Sequence, residues 1–313
     1  VPVISFALRK NQKTVIIIAG PTAVGKTSLG IAVAKHFSTE IISADSRQCF
    51  KELSIGVARP SEEELAAVPH HFIASHSILQ KVTAATFEDY ALEQVSALFQ
   101  HHNAVVMVGG TGLYIKAFTE GMDPIPEVPQ DIHEMLNAAY KQNGLLWLQE
   151  EVKASDPQFF AEGETQNPQR LLRALEVVKA TGQSILSFRT ANKKERPFEV
   201  VKLALDLPRE ILYQRINHRV ELMMKDGLLE EVRSLVPYEE LNALQTVGYK
   251  EFFRYFRNDI ELTEAVESIK QNTRHYAKRQ LTWFRKDETY HWLPPNSSVV
   301  LSFLEAHLAR QQQ

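Results

Sequence analysis

The chain has one cysteine, Cys49, so it can form neither an intrachain disulfide nor a cysteine-rich zinc site, and a reducing, cytoplasmic setting is expected. Long hydrophobic runs are also missing. The longest apolar stretches, such as Val15 to Gly20 and Ala104 to Gly110, fall far short of the ~20 residues that a bilayer helix needs, so no membrane association is expected. Val1 to Arg9 has an apolar run without a basic leader or a cleavage pattern, which predicts no signal peptide. Neither sign of charge dominates: 35 Lys and Arg stand against 38 Asp and Glu, a formal net charge of −3. That balance excludes a polycationic coat for nucleic acid but not a local basic patch. What remains is ordinary globular material, 44% apolar and 23% charged over 313 residues, long enough for one large core or two lobes without covalent staples. There is no internal repeat, and only Gln311-Gln312-Gln313 is of low complexity.

A β-branched block, Thr14 to Ala19, runs into Gly20 and a Gly/Pro/Thr turn, and Ser28 to Phe37 follows with apolar residues at helical spacing. Further strand patterns lie at Glu40 to Ser43, Ala104 to Val108 and Val200 to Leu207, with a helical pattern from Thr86 to His101 before the third strand. Continuous apolar strands alternating with helices predict an α/β fold, a parallel sheet with helices on both faces. Between Gly121 and Arg196 the pattern changes to helices without strands, entered at Pro124, Pro126 and Pro129. The chain therefore divides into core residues 1–120, an inserted all-helical lobe 121–197 and a return to the core over 198–313. In that last part helices are predicted over Arg209 to Lys225, Leu228 to Leu235 and Leu262 to Arg285, then a short strand at Tyr290 to Leu293 and a helix to Arg310.

Gly20-Pro21-Thr22-Ala23-Val24-Gly25-Lys26-Thr27 satisfies the P-loop pattern between a predicted strand and a predicted helix, the context in which backbone N–H groups cradle phosphates. Lys26 would place its charge on the terminal phosphate, and the Thr27 hydroxyl would hold Mg²⁺. A cradle alone does not name a substrate, since kinases, NTPases and transferases that release diphosphate all use one. The strand Val105 to Val108 ends in Gly109-Gly110-Thr111 where a switch or motor NTPase would carry a metal-holding Asp, which weakens the hydrolase reading. Asp45 follows Ile41-Ile42-Ser43-Ala44 and projects from the same rim of the sheet. It could hold Mg²⁺, cap the next turn, or accept a proton from an attacking group. Thr111 faces that crevice as well, or caps the helix that follows.

Read in order, these stretches resemble the tRNA dimethylallyltransferase (tRNA isopentenyltransferase) family over nearly the whole chain. The residues that carry the resemblance include the cradle, Ala44-Asp45-Ser46-Arg47-Gln48, Pro69-His70-His71 and Gly109-Gly110-Thr111-Gly112-Leu113-Tyr114. Further on they are Asn167-Pro168-Gln169-Arg170-Leu171-Leu172-Arg173, Gln214 to Val220, Val247-Gly248-Tyr249-Lys250 and Lys278-Arg279-Gln280-Leu281-Thr282-Trp283-Phe284-Arg285. The resemblance implies transfer of a five-carbon allylic group from dimethylallyl diphosphate to N6 of the adenosine beside the anticodon on its 3′ side, with Mg²⁺ as cofactor. The cradle, Gly20 to Thr27, would then hold a diphosphate in place of ATP. Arg219 would steady the departing diphosphate, Asp45 would orient and deprotonate the attacking amine, and Thr111 would sit beside the same base.

By the same resemblance Ser46, Arg47 and Gln48 contact the tRNA anticodon stem-loop, as do His133, Gln169, Arg170, Leu171, Leu172 and Arg173 in the lobe. A basic stretch from Lys270 to Lys286 adds Arg274, Lys278, Arg279 and Arg285, with Arg274, Lys278 and Arg285 on one helical face. A solvated helix face is the alternative for that stretch and for Arg219. Phe50, Val57, Arg59, Ala74, His133 and Asn167 stand where the family usually has other residues. No Cys/His extension is present, which points to the bacterial type, and a monomer is expected. Two rival readings remain at this level: a small-molecule or nucleotide kinase using ATP, and an RNA-binding module with a vestigial cradle.

Overall fold

The computed structural model describes residues 13–189 and 193–310, so the readings made on Val1 to Arg9 and on the terminal glutamines lie outside the described residues. It divides into two compact units, Val1–Thr119 with Glu195–Gln313, and Glu120–Lys194.

The core unit opens with β1 (Thr14–Ala19), α1 (Lys26–His36), β2 (Ile41–Ser43), α2 (Glu62–Ala67) and β3 (His70–His71). It continues with α3 (Ala84–Leu98), β4 (Ala104–Gly109) and α4 (Gly112–Glu120). The second unit holds α5 (Gln130–Ser155), α6 (Pro157–Glu162) and α7 (Pro168–Thr181). The chain then returns through β5 (Glu199–Leu205), α8 (Arg209–Lys225), α9 (Leu228–Ser234), α10 (Lys250–Phe256), α11 (Leu262–Phe284), β6 (His291–Leu293) and α12 (Ser297–Arg310).

Among the described residues, the strands form one sheet in the order β3-β2-β4-β1-β5-β6, with every pairing parallel. All six residues of β1 are buried, as a central strand covered on both faces requires, and their β-branched side chains suit the pleat. On one face Ile16, Ile18, Val106 and Leu203 pack with Val33, Leu212 and Leu304 from α1, α8 and α12. Beside α3 and α4, the rings of Phe72, Phe87 and Tyr114 form an aromatic group, with Phe87 stacked on Tyr114 at 4.6 Å. The parallel arrangement brings the carboxyl ends of β1, β2 and β4 to one rim, and the candidate site is built there.

The core resumes at Glu195, not at residue 198, and Arg196 supplies the reason. Its guanidinium donates to Glu88 Oε1 at 2.9 Å, to Phe118 O at 2.7 Å and to Ala117 O at 3.1 Å, and Arg196 and Glu88 are both largely buried. Breaking such a pair strands a buried charge at a cost of about 3–5 kcal/mol, so the residue belongs to the core's framework.

The helical unit has its own apolar core, including Leu136, Leu148, Val152, Phe159, Leu175 and Ile185. In α5 two helical stretches meet at Gly144, whose φ of 75° is left-handed and suits glycine alone. Asn167 caps α7, its Oδ1 accepting from the N–H groups of Gln169 at 3.1 Å and Arg170 at 3.4 Å, and Pro168 fills the first turn. The residue type that departs from the family pattern at position 167 thus still caps the helix.

Candidate active site

The loop from Gly20 to Thr27 joins β1 to α1. Ala23 (φ 65°) and Gly25 (φ 107°) are both left-handed, the conformation that turns successive N–H groups inward in anion-binding nests. Lys26 Nζ donates back across the loop to Pro21 O at 2.7 Å. Burial drives the Lys26 ammonium from its ordinary value of 10.5 down to about 7; the nearby Arg219 pushes the same way and Asp45 opposes both. Two arginines of α8 close on the loop: Arg219 donates to Thr22 Oγ1 at 3.4 Å and Arg215 to Val24 O at 3.3 Å. Arg219 is therefore a cleft residue whose guanidinium is itself lowered by burial, not a solvated helix-face arginine.

Asp45 lines the same cleft, a space of about 400 Å³ that it shares with Thr22, Lys26, Thr27 and Arg219. One carboxylate oxygen, Oδ1, accepts from Arg47 N at 2.9 Å and Gln48 N at 3.3 Å and so shapes its own turn. Oδ2 makes no hydrogen bond among the described residues. The turn-capping role expected of Asp45 thus falls to Oδ1. Thr111 Oγ1 accepts from Ser46 N at 3.0 Å and donates to Ser46 Oγ at 3.3 Å, so its hydroxyl ties the end of β4 to the Asp45 turn instead of capping α4.

Gln48 is not available to read an RNA base. Its Nε2 donates to Val57 O at 3.2 Å and Ala58 O at 2.9 Å, and its Oε1 accepts from Ser43 Oγ at 3.2 Å, which uses the amide inside the protein. Arg59 is likewise inward, donating to the carbonyls of Phe50, Lys51 and Leu53. His71 pairs with Glu40 at 2.6 Å, while His70 lines the cleft. Cys49 is buried and its thiol is pushed up to about 12, by burial first and then by Asp45, so it is not a nucleophile.

A second recess of about 510 Å³ has Arg47, Thr246, Val247 and Tyr276 in common with the first. Ser46, Lys250, Arg254 and Arg279 add to its lining, against one acid, Glu251, which is engaged by Gly248 N at 2.9 Å and by Asn272 at 2.7 Å. Burial lowers Arg47 and raises the Tyr276 phenol, so both of these shared residues sit in a desolvated place.

The basic stretch of α11 does not form one surface. Arg279 faces this second recess, whereas Lys278 and Arg285 line a different groove beside Pro208 and Tyr213. Arg285 pairs with Asp206 at 3.1 Å and Arg274 donates to Asn217 at 2.6 Å, so Arg279 alone among the four shares a recess with Ser46 and Arg47. Lys270 is neutralised by Glu221 at 3.1 Å and Glu267 at 2.9 Å.

In the helical unit Leu171 and Leu172 are buried in the apolar core, which corrects their assignment as tRNA contacts. His133 pairs with Glu176 at 2.6 Å, Arg173 reaches the same carboxylate at 3.6 Å, and Arg170 pairs with Glu164 at 3.3 Å. Gln169 is exposed at the start of α7.

Several site residues carry no motif role in the sequence, among them Arg215, Arg254 and Gln280. Gln280, buried on α11, accepts from Thr22 N at 2.8 Å and donates to Gly110 O at 2.9 Å, bridging the cradle and the end of β4. A Cβ on Gly110 would stand 2.2 Å from Gln280 Nε2, so only glycine leaves room for this contact. Its signal in the sequence is a polar residue on the buried stripe of an amphipathic helix, between Ala277 and Phe284.

Thr27 and Asp45 offer hard oxygen donors of the kind Mg²⁺ takes. No group of three His, Cys, Asp or Glu converges among the described residues, so such a cation would draw most of its ligands from phosphate and water. No helix of the described residues is long and apolar enough to cross a membrane.

Residues 48–287 match the family model described as IPP transferase. The tRNA dimethylallyltransferase of Christiangramia forsetii is 49% identical over 94% of this chain and 98% of its own length, and tRNA dimethylallyltransferase 1 of Bacteroides fragilis is 44% identical over 95% and 99%. Among solved structures, the full-length tRNA isopentenylpyrophosphate transferase of Bacillus halodurans superposes with a TM-score of 0.70 at 32% identity, covering 95% of this chain and 96% of that one. A eukaryotic dimethylallyltransferase acting on tRNA gives 0.69 at 26% identity, covering 87% and 70%. With a family model spanning most of its length and relatives this similar end to end, the chain belongs to the tRNA dimethylallyltransferase family.

Proposed function

We propose that the protein transfers the dimethylallyl group of dimethylallyl diphosphate to N6 of the adenosine that follows the anticodon in tRNA, releasing diphosphate. The observation that carries this is the pair of recesses: a cradle with Lys26, Arg219 and Asp45 in one, and a basic, RNA-suited lining in the other, with Arg47 and Tyr276 in common. The diphosphate lies on the loop from Gly20 to Thr27. The adenosine, turned out of its stack, enters from the second recess past Ser46, Arg47 and Arg279.

N6 attacks the allylic carbon. The C–N bond forms as the C–O bond breaks, the bonding pair leaves with the diphosphate, and the proton on N6 passes to Asp45 Oδ2. Lys26, Arg219 and the loop N–H groups stabilise the charge that grows on the leaving group. Mg²⁺, held by Thr27 and the phosphates, supplies further neutralisation when bound. Thr111 acts by holding the Asp45 turn. The protein acts as a monomer in the cytoplasm.

The test is to incubate the protein with Mg²⁺, an unmodified anticodon stem-loop and dimethylallyl diphosphate, beside an ATP-only control, and to weigh the RNA. Gain of one dimethylallyl group without ATP is expected. No gain on several adenosine-bearing stem-loops, with ATP consumed on small acceptors, would establish the kinase reading instead.

A further inference from the structure

Glu231 on α9 takes no part in the chemistry above, yet its carboxylate is fully engaged. Oε2 accepts from Ser54 N at 3.1 Å and Ile55 N at 2.7 Å; Oε1 accepts from Gly56 N at 3.0 Å and from the Tyr249 hydroxyl at 2.6 Å. Three consecutive backbone N–H groups on one carboxylate pin the path of the chain, and such charge-assisted bonds are stronger than neutral ones.

The pinned segment runs directly into the cleft wall, which Gly56, Val57 and Ala58 line. Gln48 holds the far side of that wall through the carbonyls of Val57 and Ala58, and Gln48 is itself tied to Asp45 Oδ1. Leu228, one turn before Glu231, faces the same cleft, as do Val220 and Met223 of α8. A Cβ on Gly227 would come within 4.0 Å of Ile55, so the loop packs where α8 meets α9. The wall is therefore an apolar surface held at one side by Glu231 and at the other by Gln48.

We propose that Glu231 is a positioning residue that sets the Gly56–Ala58 wall against the allylic part of the substrate, and thereby limits the chain length the cleft accepts. This rests on the reading that the diphosphate occupies the cradle. With glutamine at 231 one acceptor becomes an NH₂ donor facing backbone N–H donors, the bonds on that side are lost, and the wall retreats.

The experiment compares wild type and Glu231→Gln as full chains, with Mg²⁺ and the stem-loop, on dimethylallyl and geranyl diphosphate. KM for dimethylallyl diphosphate should rise about tenfold with kcat within about threefold, the pattern of lost uniform binding. The geranyl-to-dimethylallyl ratio of kcat/KM should rise about tenfold, because a wall that steps back relieves the longer chain. Inhibition by inorganic diphosphate and affinity for the stem-loop should not move.

Gly56→Ala is the second variant: its Cβ would meet the buried Tyr249 ring at 2.6 Å, so the wall must shift, and a changed ratio, in either direction, is expected even where Glu231→Gln does not fold. Equal losses of kcat on both diphosphates with the ratio intact would reduce Glu231 to a structural residue and overturn the proposal. A ratio unmoved by either variant overturns it too, while absence of transfer by the wild-type chain overturns the reaction itself and the proposal with it.

Discussion

Gln280 and Thr22 lie 258 positions apart in the chain, yet the Thr22 amide donates to Gln280 Oε1 at 2.8 Å. A side chain of α11 thus completes the hydrogen bonding of the phosphate loop, and its other end holds Gly110 O at the tip of β4. Gln280→Leu keeps the bulk and removes both bonds. Two polar groups lose their partners, so a destabilisation of about 2–6 kcal/mol is expected from the usual cost of each orphan. Thermal unfolding measures it, and the variant's KM for the diphosphate substrate should rise. An unchanged melting temperature would mean that water takes over both bonds.

Asp45→Asn separates the two oxygens. The amide oxygen can still accept from Arg47 N and Gln48 N, so the turn and the fold should persist, while the second carboxylate oxygen, the proposed proton acceptor, is replaced by an NH₂ group. Turnover should fall by about 10²–10⁴, the range of general-base contributions, with stem-loop affinity retained. Single-turnover rates that match the wild type would remove Asp45 from the mechanism.

Lys26 should make diphosphate binding depend on pH. Its folded-state value is about 7 against an ordinary 10.5, so between these values the unfolded chain binds more protons and stability rises with pH. Diphosphate favours the charged ammonium, so binding above pH 7 must take up a proton, and affinity should weaken by up to about tenfold per unit there. Calorimetry in two buffers of different ionisation enthalpy counts that proton. Heats that agree between buffers at about pH 8 would contradict the assignment.

Arg279 and Arg285 should differ as RNA contacts. Arg279 lines the recess with Ser46 and Arg47, whereas Arg285 is paired with Asp206 beside another groove. Arg279→Ala should weaken stem-loop binding and lower the salt dependence by about one phosphate contact, while Arg285→Ala should change little. Equal losses from both would place the RNA across the helix instead of in the recess.

Much of this was legible in the sequence where chemistry and periodicity coincide. β1, the turn of Asp45 and α8 lie where the strand and helix patterns put them, since buried β-branched runs and long amphipathic helices carry strong signals. β3, with two residues, and the six-residue α2 are too short to carry a period. Leu171 and Leu172 show the opposite failure. They sit inside a polar motif that resembles a tRNA contact, yet their spacing to Ala174, Leu175 and Val178 marks the apolar face of α7. Gln48, Gln280 and Glu231 are beyond such reading, because their roles depend on carbonyls and amides brought near only by the folded chain.

Cys49 remains. Sealed away and held in the thiol form, the sole sulfhydryl of the chain leaves the surface silent toward maleimides and iodoacetamides. The protein thus arrives with a blank labelling background: a cysteine introduced beside Arg279 or Arg285 would carry a fluorophore at one known place, without first deleting a native thiol.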